Sequence, residues 1–187
     1  MSLVADLKTL TPSLSDAERH QLQQGDVVLV GQEGTYAVLS LVKAPLPGVW
    51  GVLTAYEQFP TFLPSVVNCR ILEKRENRVV VERRDLRKIG WLPIKVKIVT
   101  ENVETWHDRI DYRMLDGTLD QMYGNWRLAP LASQGEAALT FLMQTITAKA
   151  NMGPLQSYFY EVFEQGLTET MTDLRTEMER RHLVEYG

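Results

Sequence analysis

Ala44-Pro45-Leu46-Pro47-Gly48-Val49-Trp50-Gly51-Val52-Leu53-Thr54-Ala55-Tyr56-Glu57-Gln58-Phe59-Pro60-Thr61-Phe62-Leu63-Pro64 is the stretch on which the fold turns. A β-branched and apolar run, Tyr36 to Val42, stops at Ala44-Pro45, because the residue before a proline is pushed out of helical backbone. An apolar helix begins at Pro47, where the missing amide hydrogen would have lacked a partner in any case. A second short turn, Phe59 to Leu63, is bracketed by Pro60 and Pro64. The chain therefore leaves a strand, makes two short helical turns, and is released into whatever follows.

Upstream, Asp26 to Val30 and Thr35 to Val42 are two strand-like runs joined by Gly31-Gln32-Glu33-Gly34, a hairpin signal. Before them, Ser15 and Glu18 have capping-box spacing, in which each side chain satisfies an amide of the first helical turn. The helix they start is expected to end near Gln24, with Gly25 taking the left-handed conformation that closes it. Residues 1 to 14 show no periodicity and read as a loose arm. The division expected is an arm and short helix over 1–25 and one main domain over 26–187.

Downstream the chain is a series of strands. Val67 to Lys74 and Arg78 to Ile89 flank the turn pair Glu76-Asn77. Ile94 to Glu104 follows Gly90-Trp91-Leu92-Pro93, Arg109 to Leu115 follows Trp106-His107-Asp108, and Leu119 to Leu128 follows Asp116-Gly117. Ala138 to Ala148 comes after a polar loop around Ser133-Gln134-Gly135. Such short connections imply an antiparallel meander. The last segment is a helix from about Leu155 to Val184, about 45 Å long at 1.5 Å per residue. Leu155, Phe159, Val162, Phe163, Leu167, Met171, Leu174 and Met178 form one apolar stripe along it. Its charged end, Glu177 to Arg181, is expected to project or fray. A curved sheet needs cover on at least one face, and this helix is the long apolar element that can supply it.

Two motifs together, the Pro-flanked stretch with its Val49-Trp50 and Tyr56-Glu57, and Asp116-Gly117 followed by Gly124-Asn125-Trp126-Arg127-Leu128, resemble the START-like polyketide cyclase/dehydrase superfamily. The spacing looks most like its coenzyme-Q-binding branch. The resemblance implies an α+β helix-grip fold, a curved antiparallel sheet wrapped around a long C-terminal helix, with short helices after the first strands. It also implies a cavity between sheet and helix that holds a lipid, quinone or polyketide-like molecule. Cyclase and aromatase members hold a poly-β-ketone there, and a bacterial branch resembles a ribosome-associating toxin.

Composition bounds these readings. The chain has 187 residues, 44% hydrophobic and 24% charged, with a net charge of −4. A domain of that length buries roughly 70% of its unfolded surface, enough for an unstapled core. A single cysteine, Cys69, excludes an internal disulfide and reads as a small buried hydrophobe on a strand. The N-terminus lacks the pattern of a signal peptide, and no run approaches the roughly 20 apolar residues of a membrane span, so a cytoplasmic protein is expected. Residues 70–113 carry 12 Lys and Arg against 8 Asp and Glu, and residues 151–187 carry 3 against 7. That is too little concentrated positive charge to expect a nucleic-acid partner; the basic strands read as a solvated sheet face. His20, His107 and His182 stand far apart without ligand spacing, so no metal is expected. No phosphate loop or nucleophile elbow is present, and no cofactor is expected. Nothing in the sequence sets an oligomeric state.

Strand parity places the candidate site, since successive side chains alternate faces. Ile98 and Thr100 share a row with Ile94 and Val96, and Tyr112 and Met114 share one with Ile110. Trp126 lines up with Gly124 and Leu128, and Phe141, Met143 and Thr145 form a row with Leu139. Pointed toward the C-terminal helix, with Phe159, Phe163 and Leu167 over them, these rows read from the residues alone as close-packed core. The resemblance turns the same rows into the wall of a ligand cavity, and the ligand-binding set expected is Ile98, Thr100, Tyr112, Met114, Trp126, Phe141, Met143, Thr145, Phe159, Phe163 and Leu167. These rows contain no acidic or histidine cluster suited to proton transfer, so binding or carriage is expected ahead of a cyclase/dehydrase activity, with a protein-interaction module third. Arg83, Arg84, Asp85 and Arg87 break the alternation of their strand. They read either as an edge strand guarded by charge or as cations near a cavity mouth for an anionic group. Gly166 inside the long helix either permits a bend or leaves room for ligand beneath it.

Overall fold

The computed structural model describes residues 3–89, 92–131 and 138–186. The expected turn at Gly90-Trp91 and the polar loop at Ser133-Gln134-Gly135 lie outside these residues. Eight strands form one antiparallel sheet in the order β1-β2-β8-β7-β6-β5-β4-β3. They are β1 (Val28–Gln32), β2 (Thr35–Val42), β3 (Val66–Arg75), β4 (Arg78–Ile89), β5 (Leu92–Thr105), β6 (Arg109–Gly117), β7 (Gln121–Leu131) and β8 (Leu139–Lys149). The helices are α1 (Leu3–Leu10), α2 (Asp16–Gln24), α3 (Leu46–Leu53), α4 (Phe59–Phe62) and α5 (Gln156–Tyr186). This is the expected α+β helix grip.

Local chemistry accounts for the joints. The β1–β2 hairpin turns on Glu33 and Gly34, both with positive φ (52° and 88°), the backbone that a two-residue turn needs to match strand twist. The capping box at Ser15 and Glu18 is formed, and Gly25 closes α2 at φ 91°. Pro45 caps α3, with a proline in its first turn. A 3-10 turn at Tyr56–Gln58 and α4 then carry the chain to β3.

Both faces of the β2–β8 half of the sheet are buried, and two cores result. Toward α5, Val38, Val42, Leu142 and Ile146 pack with Leu167, Met171, Leu174 and Met178. On the other face Leu39, Leu41, Leu131 and Phe141 pack with Leu7, Leu14 and Leu22. The segment expected as a loose arm is thus α1 and its connection. Leu7 is fully buried and Leu14 nearly so, because an N-terminal stretch with only a few leucines suffices when each meets an apolar sheet face. At about 1.5–3 kcal/mol per fully buried leucine, that docking outweighs a weak helical pattern.

Two further expectations are corrected. β4 lies between β3 and β5, so charge guarding an edge cannot explain Arg83, Asp85 and Arg87. The end of α5 does not fray: Glu177 is buried, receives hydrogen bonds from Arg180 and Arg181, and Arg181 reaches Gln58 and covers the Phe62 ring. Glu179 also accepts the Lys43 amide. These contacts anchor α5 to α4 and to the end of β2.

Candidate functional site

Between α5 and the β4–β8 part of the sheet lies a cavity of about 240 Å³. Its walls are mainly apolar, with Val81, Ile98, Ile110, Met122 and Trp126 on the sheet side and Leu167 on α5. A void of that size between well-packed elements is unusual, since interiors are close-packed, and one of ~150 Å³ already accepts an aromatic ring. Phe159 and Phe163, stacked with centroids 5.7 Å apart, are only half-buried and lie along one side. The α5 stripe therefore borders a space from Phe159 to Leu167 and again at Leu174, while Met171 and Met178 are packed solid.

One wall is charged. Arg83, Asp85 and Arg87 alternate on the inner face of β4 and all reach the cavity. Asp85 is 3% exposed; Arg83 Nε lies 3.0 Å from its Oδ1 and Arg87 Nη2 lies 3.6 Å from its Oδ2. Oδ1 accepts no hydrogen bond, because the Arg83 contact is close but misaligned. Arg87 also approaches Glu169 of α5 at 3.9 Å. Gly166 explains itself here: a Cβ on it would come within 2.9 Å of Arg87 Nη1. Its role is room, for a guanidinium. About two turns further along α5, burial and the neighbouring Glu169 push the Asp173 carboxyl up, against the pull of Arg87.

A second set is uncharged and spans four strands. Tyr112 of β6 pairs with Asn102 of β5 and with Gly124 of β7. Its hydroxyl passes over Gly124 and donates to the Thr145 carbonyl of β8 at 2.9 Å. Gln144 Nε2 donates to that same hydroxyl at 3.0 Å. Burial pushes the Tyr112 phenol well above its ordinary range, so it keeps its proton. Asn102 Nδ2 donates to the Val79 carbonyl at 3.2 Å and to Thr100 Oγ1 at 3.0 Å. Cys69 lies on the wall beside Arg83, its thiol pushed up to about 11 chiefly by burial. It is a buried thiol rather than a reactive thiolate. At the far end Tyr56 donates to Glu104 at 2.8 Å.

Of the residues singled out from sequence, Ile98, Thr100, Tyr112, Trp126, Phe159, Phe163 and Leu167 come together around the cavity. Met114 packs against the same core near Gly117 but stands outside the cavity wall. Phe141 and Met143 belong to the opposite core, under α1 and α2. Thr145 shares their face and reaches the site only through its backbone carbonyl. The inner row of β8 is instead Thr140, Leu142, Gln144 and Ile146, one residue out of step with the expectation. Both rows of β8 are apolar enough to be buried, so alternation had no polar face to mark the outside. Asn102 could have been found by carrying the row Ile94, Val96, Ile98, Thr100 one step further.

Outside the cavity, the basic strands are paired with acids. Glu82 is ringed by Arg70, Arg84 and Lys97, and Glu101 by Arg78 and Arg113. Among the described residues no group of three or more His, Cys, Asp or Glu is placed to hold a metal ion. No described helix is long and apolar enough to cross a membrane.

A family model described as polyketide cyclase/dehydrase and lipid transport matches residues 42–182. Among solved structures, the chain is similar to the Zhui aromatase/cyclase of Streptomyces sp. R1128, with 19% identity and a TM-score of 0.62 over 83% of this chain and 95% of that one. It is similar to a STAR-related lipid transfer protein from Xanthomonas axonopodis, with 16% identity and a TM-score of 0.56 over 81% and 92%. A START superfamily protein from Mycobacterium smegmatis matches with 15% identity and a TM-score of 0.55 over 79% and 96%. At these identities the likeness is one of fold. No curated protein matches the chain.

Proposed function

The chain belongs to the polyketide cyclase/dehydrase and lipid transport family, and from that premise we propose that it binds and carries an apolar small molecule in the cavity under α5. The observation that carries this is the unfilled space itself, about 240 Å³ with apolar walls, bordered by half-buried Phe159 and Phe163. A ligand there removes apolar surface from water at about 25 cal/mol per Å². The ligand set supporting this reading is Ile98, Thr100, Tyr112, Trp126, Phe159, Phe163 and Leu167. Arg83 and Arg87 would receive an electron-rich oxygen at one end of the ligand, where Asp85 already balances part of their charge.

The test is direct. An organic extract of natively purified protein, analysed by mass spectrometry, is expected to contain an apolar compound at up to one per chain. Stripped protein is expected to take up a naphthalene-based fluorescent probe with the same stoichiometry. Absence of both an extractable compound and probe uptake would overturn the proposal.

A second reading, cyclisation of a poly-β-ketone, is favoured by one observation: the Arg83–Asp85–Arg87 row stands in an apolar wall, where fixed charges stabilise a developing enolate far better than in water. Turnover of a β-ketone chain by the purified protein, lost in Arg83→Gln, would select this reading over carriage.

A further inference from the structure

The neutral belt on the cavity wall has a donor and acceptor inventory that does not balance within the protein. The Tyr112 proton is committed to the Thr145 carbonyl, which can only accept. Gln144 must therefore present its amide nitrogen to the Tyr112 oxygen, which turns its Oε1 elsewhere. Asn102 likewise has its Nδ2 between the Val79 carbonyl and Thr100 Oγ1, which turns its Oδ1 away from both. These two side chains belong to residues 7% and 8% exposed, and no described group donates to either carboxamide oxygen. Thr100 Oγ1 accepts from Asn102, so its proton remains available to an acceptor. All four residues border the same cavity. Neither carboxamide oxygen is sealed inside the protein, so each can meet a donor that a ligand brings.

Gly124 shows that the arrangement is built. A Cβ there would stand 2.8 Å from the Tyr112 hydroxyl and would overlap the Thr145 carbonyl oxygen. Only glycine lets Tyr112 cross β7 and orient Gln144.

We propose that this wall is a hydroxyl-recognition site, in which the one proton of an alcohol or phenol on the ligand is accepted by Asn102 Oδ1 or Gln144 Oε1 while Thr100 donates to its oxygen. The proposal rests on the reading of the cavity as a ligand container and adds the chemistry of the ligand's buried end. That end is a neutral hydroxyl. An ether or ketone offers acceptors to a wall of acceptors and gains only Thr100.

The experiment compares two probes, 2-naphthol and 2-methoxynaphthalene, by fluorescence titration near pH 6.5, where the naphthol is uncharged. The wild-type protein is expected to bind the naphthol roughly tenfold more tightly, the worth of one or two net hydrogen bonds. The variant that removes the accepting oxygen, Gln144→Met or Asn102→Leu, is expected to shrink that ratio toward one while methoxynaphthalene still binds. Equal binding of the two probes by wild type would overturn the hydroxyl site and leave the container standing. A ratio unchanged in both variants would overturn it as well, by placing the preference elsewhere. Failure of both probes to bind would overturn the container and the site together. The wild-type comparison holds even if a variant does not fold.

Discussion

Gly124→Ala tests the core of the structural argument, because two expectations for it have opposite signs. In an ordinary strand, replacing glycine by alanine adds about 0.5–1 kcal/mol of stability by restricting the unfolded chain. Here the new methyl group would lie 2.8 Å from the Tyr112 hydroxyl and from the Thr145 carbonyl carbon, and inside the contact radius of the Thr145 oxygen. Backbone cannot yield as a flexible side chain can, so β7 and β8 must separate where Gly124 pairs with Ile146. The hydrogen bonds from Tyr112 to Thr145 and from Gln144 to Tyr112 are then lost, about 1 kcal/mol each, with further cost from polar groups left unpaired in a buried wall. A net loss of about 3–5 kcal/mol is expected, in the range that only a few mechanisms reach. Urea unfolding followed by tryptophan fluorescence measures it. In a Tyr112→Phe background the same substitution should cost about 1 kcal/mol less, since one of the collisions is gone. A loss below 1 kcal/mol, or a gain, would refute the claim that glycine is required for Tyr112 to cross the strand.

Other outcomes follow from single contacts. Gly166→Ala adds about 1 kcal/mol of helix propensity but drives the Arg87 guanidinium off α5; thermal stability should stay nearly level while uptake of an anionic naphthalene probe weakens several-fold, and unaltered uptake would remove Arg87 from the site. Met171→Ala, at a fully buried position on α5, should cost 2–5 kcal/mol in chemical denaturation. Hydrogen bonds from Arg180, and then Arg181, hold the Glu177 carboxyl down at about 2 against the cost of its burial. A lowered carboxyl stabilises the fold above its unfolded value near 4.5 and loses that contribution as pH falls toward 2, so Glu177→Gln should flatten part of the stability decline between pH 5 and 2. An unchanged acid profile would show that the pair contributes nothing there.

Much of the architecture is local, and the sequence by itself determined it. The capping box at Ser15, the positive-φ pair Glu33-Gly34, the prolines around α3 and α4 and the stripe on α5 each need only neighbours a few residues away. The same holds for parity where a strand has one polar face, and the rows of β5 and the start of β6 were legible for that reason. Tertiary structure alone decided the rest. β8 is apolar on both sides, and which side meets α5 depended on α1 and α2 docking against the other. That docking moved Phe141, Met143 and Thr145 away from the cavity and brought Gln144 into it. β4 lies inside the sheet, so Arg83, Asp85 and Arg87 guard no edge, a matter of strand order that no local pattern encodes. Gly124 opens a motif and Gly166 interrupts a helix, but the sequence does not say what either makes room for. Their meaning lies in Tyr112 and Arg87, which approach them from other elements, and contact across elements is set by packing rather than by spacing along the chain.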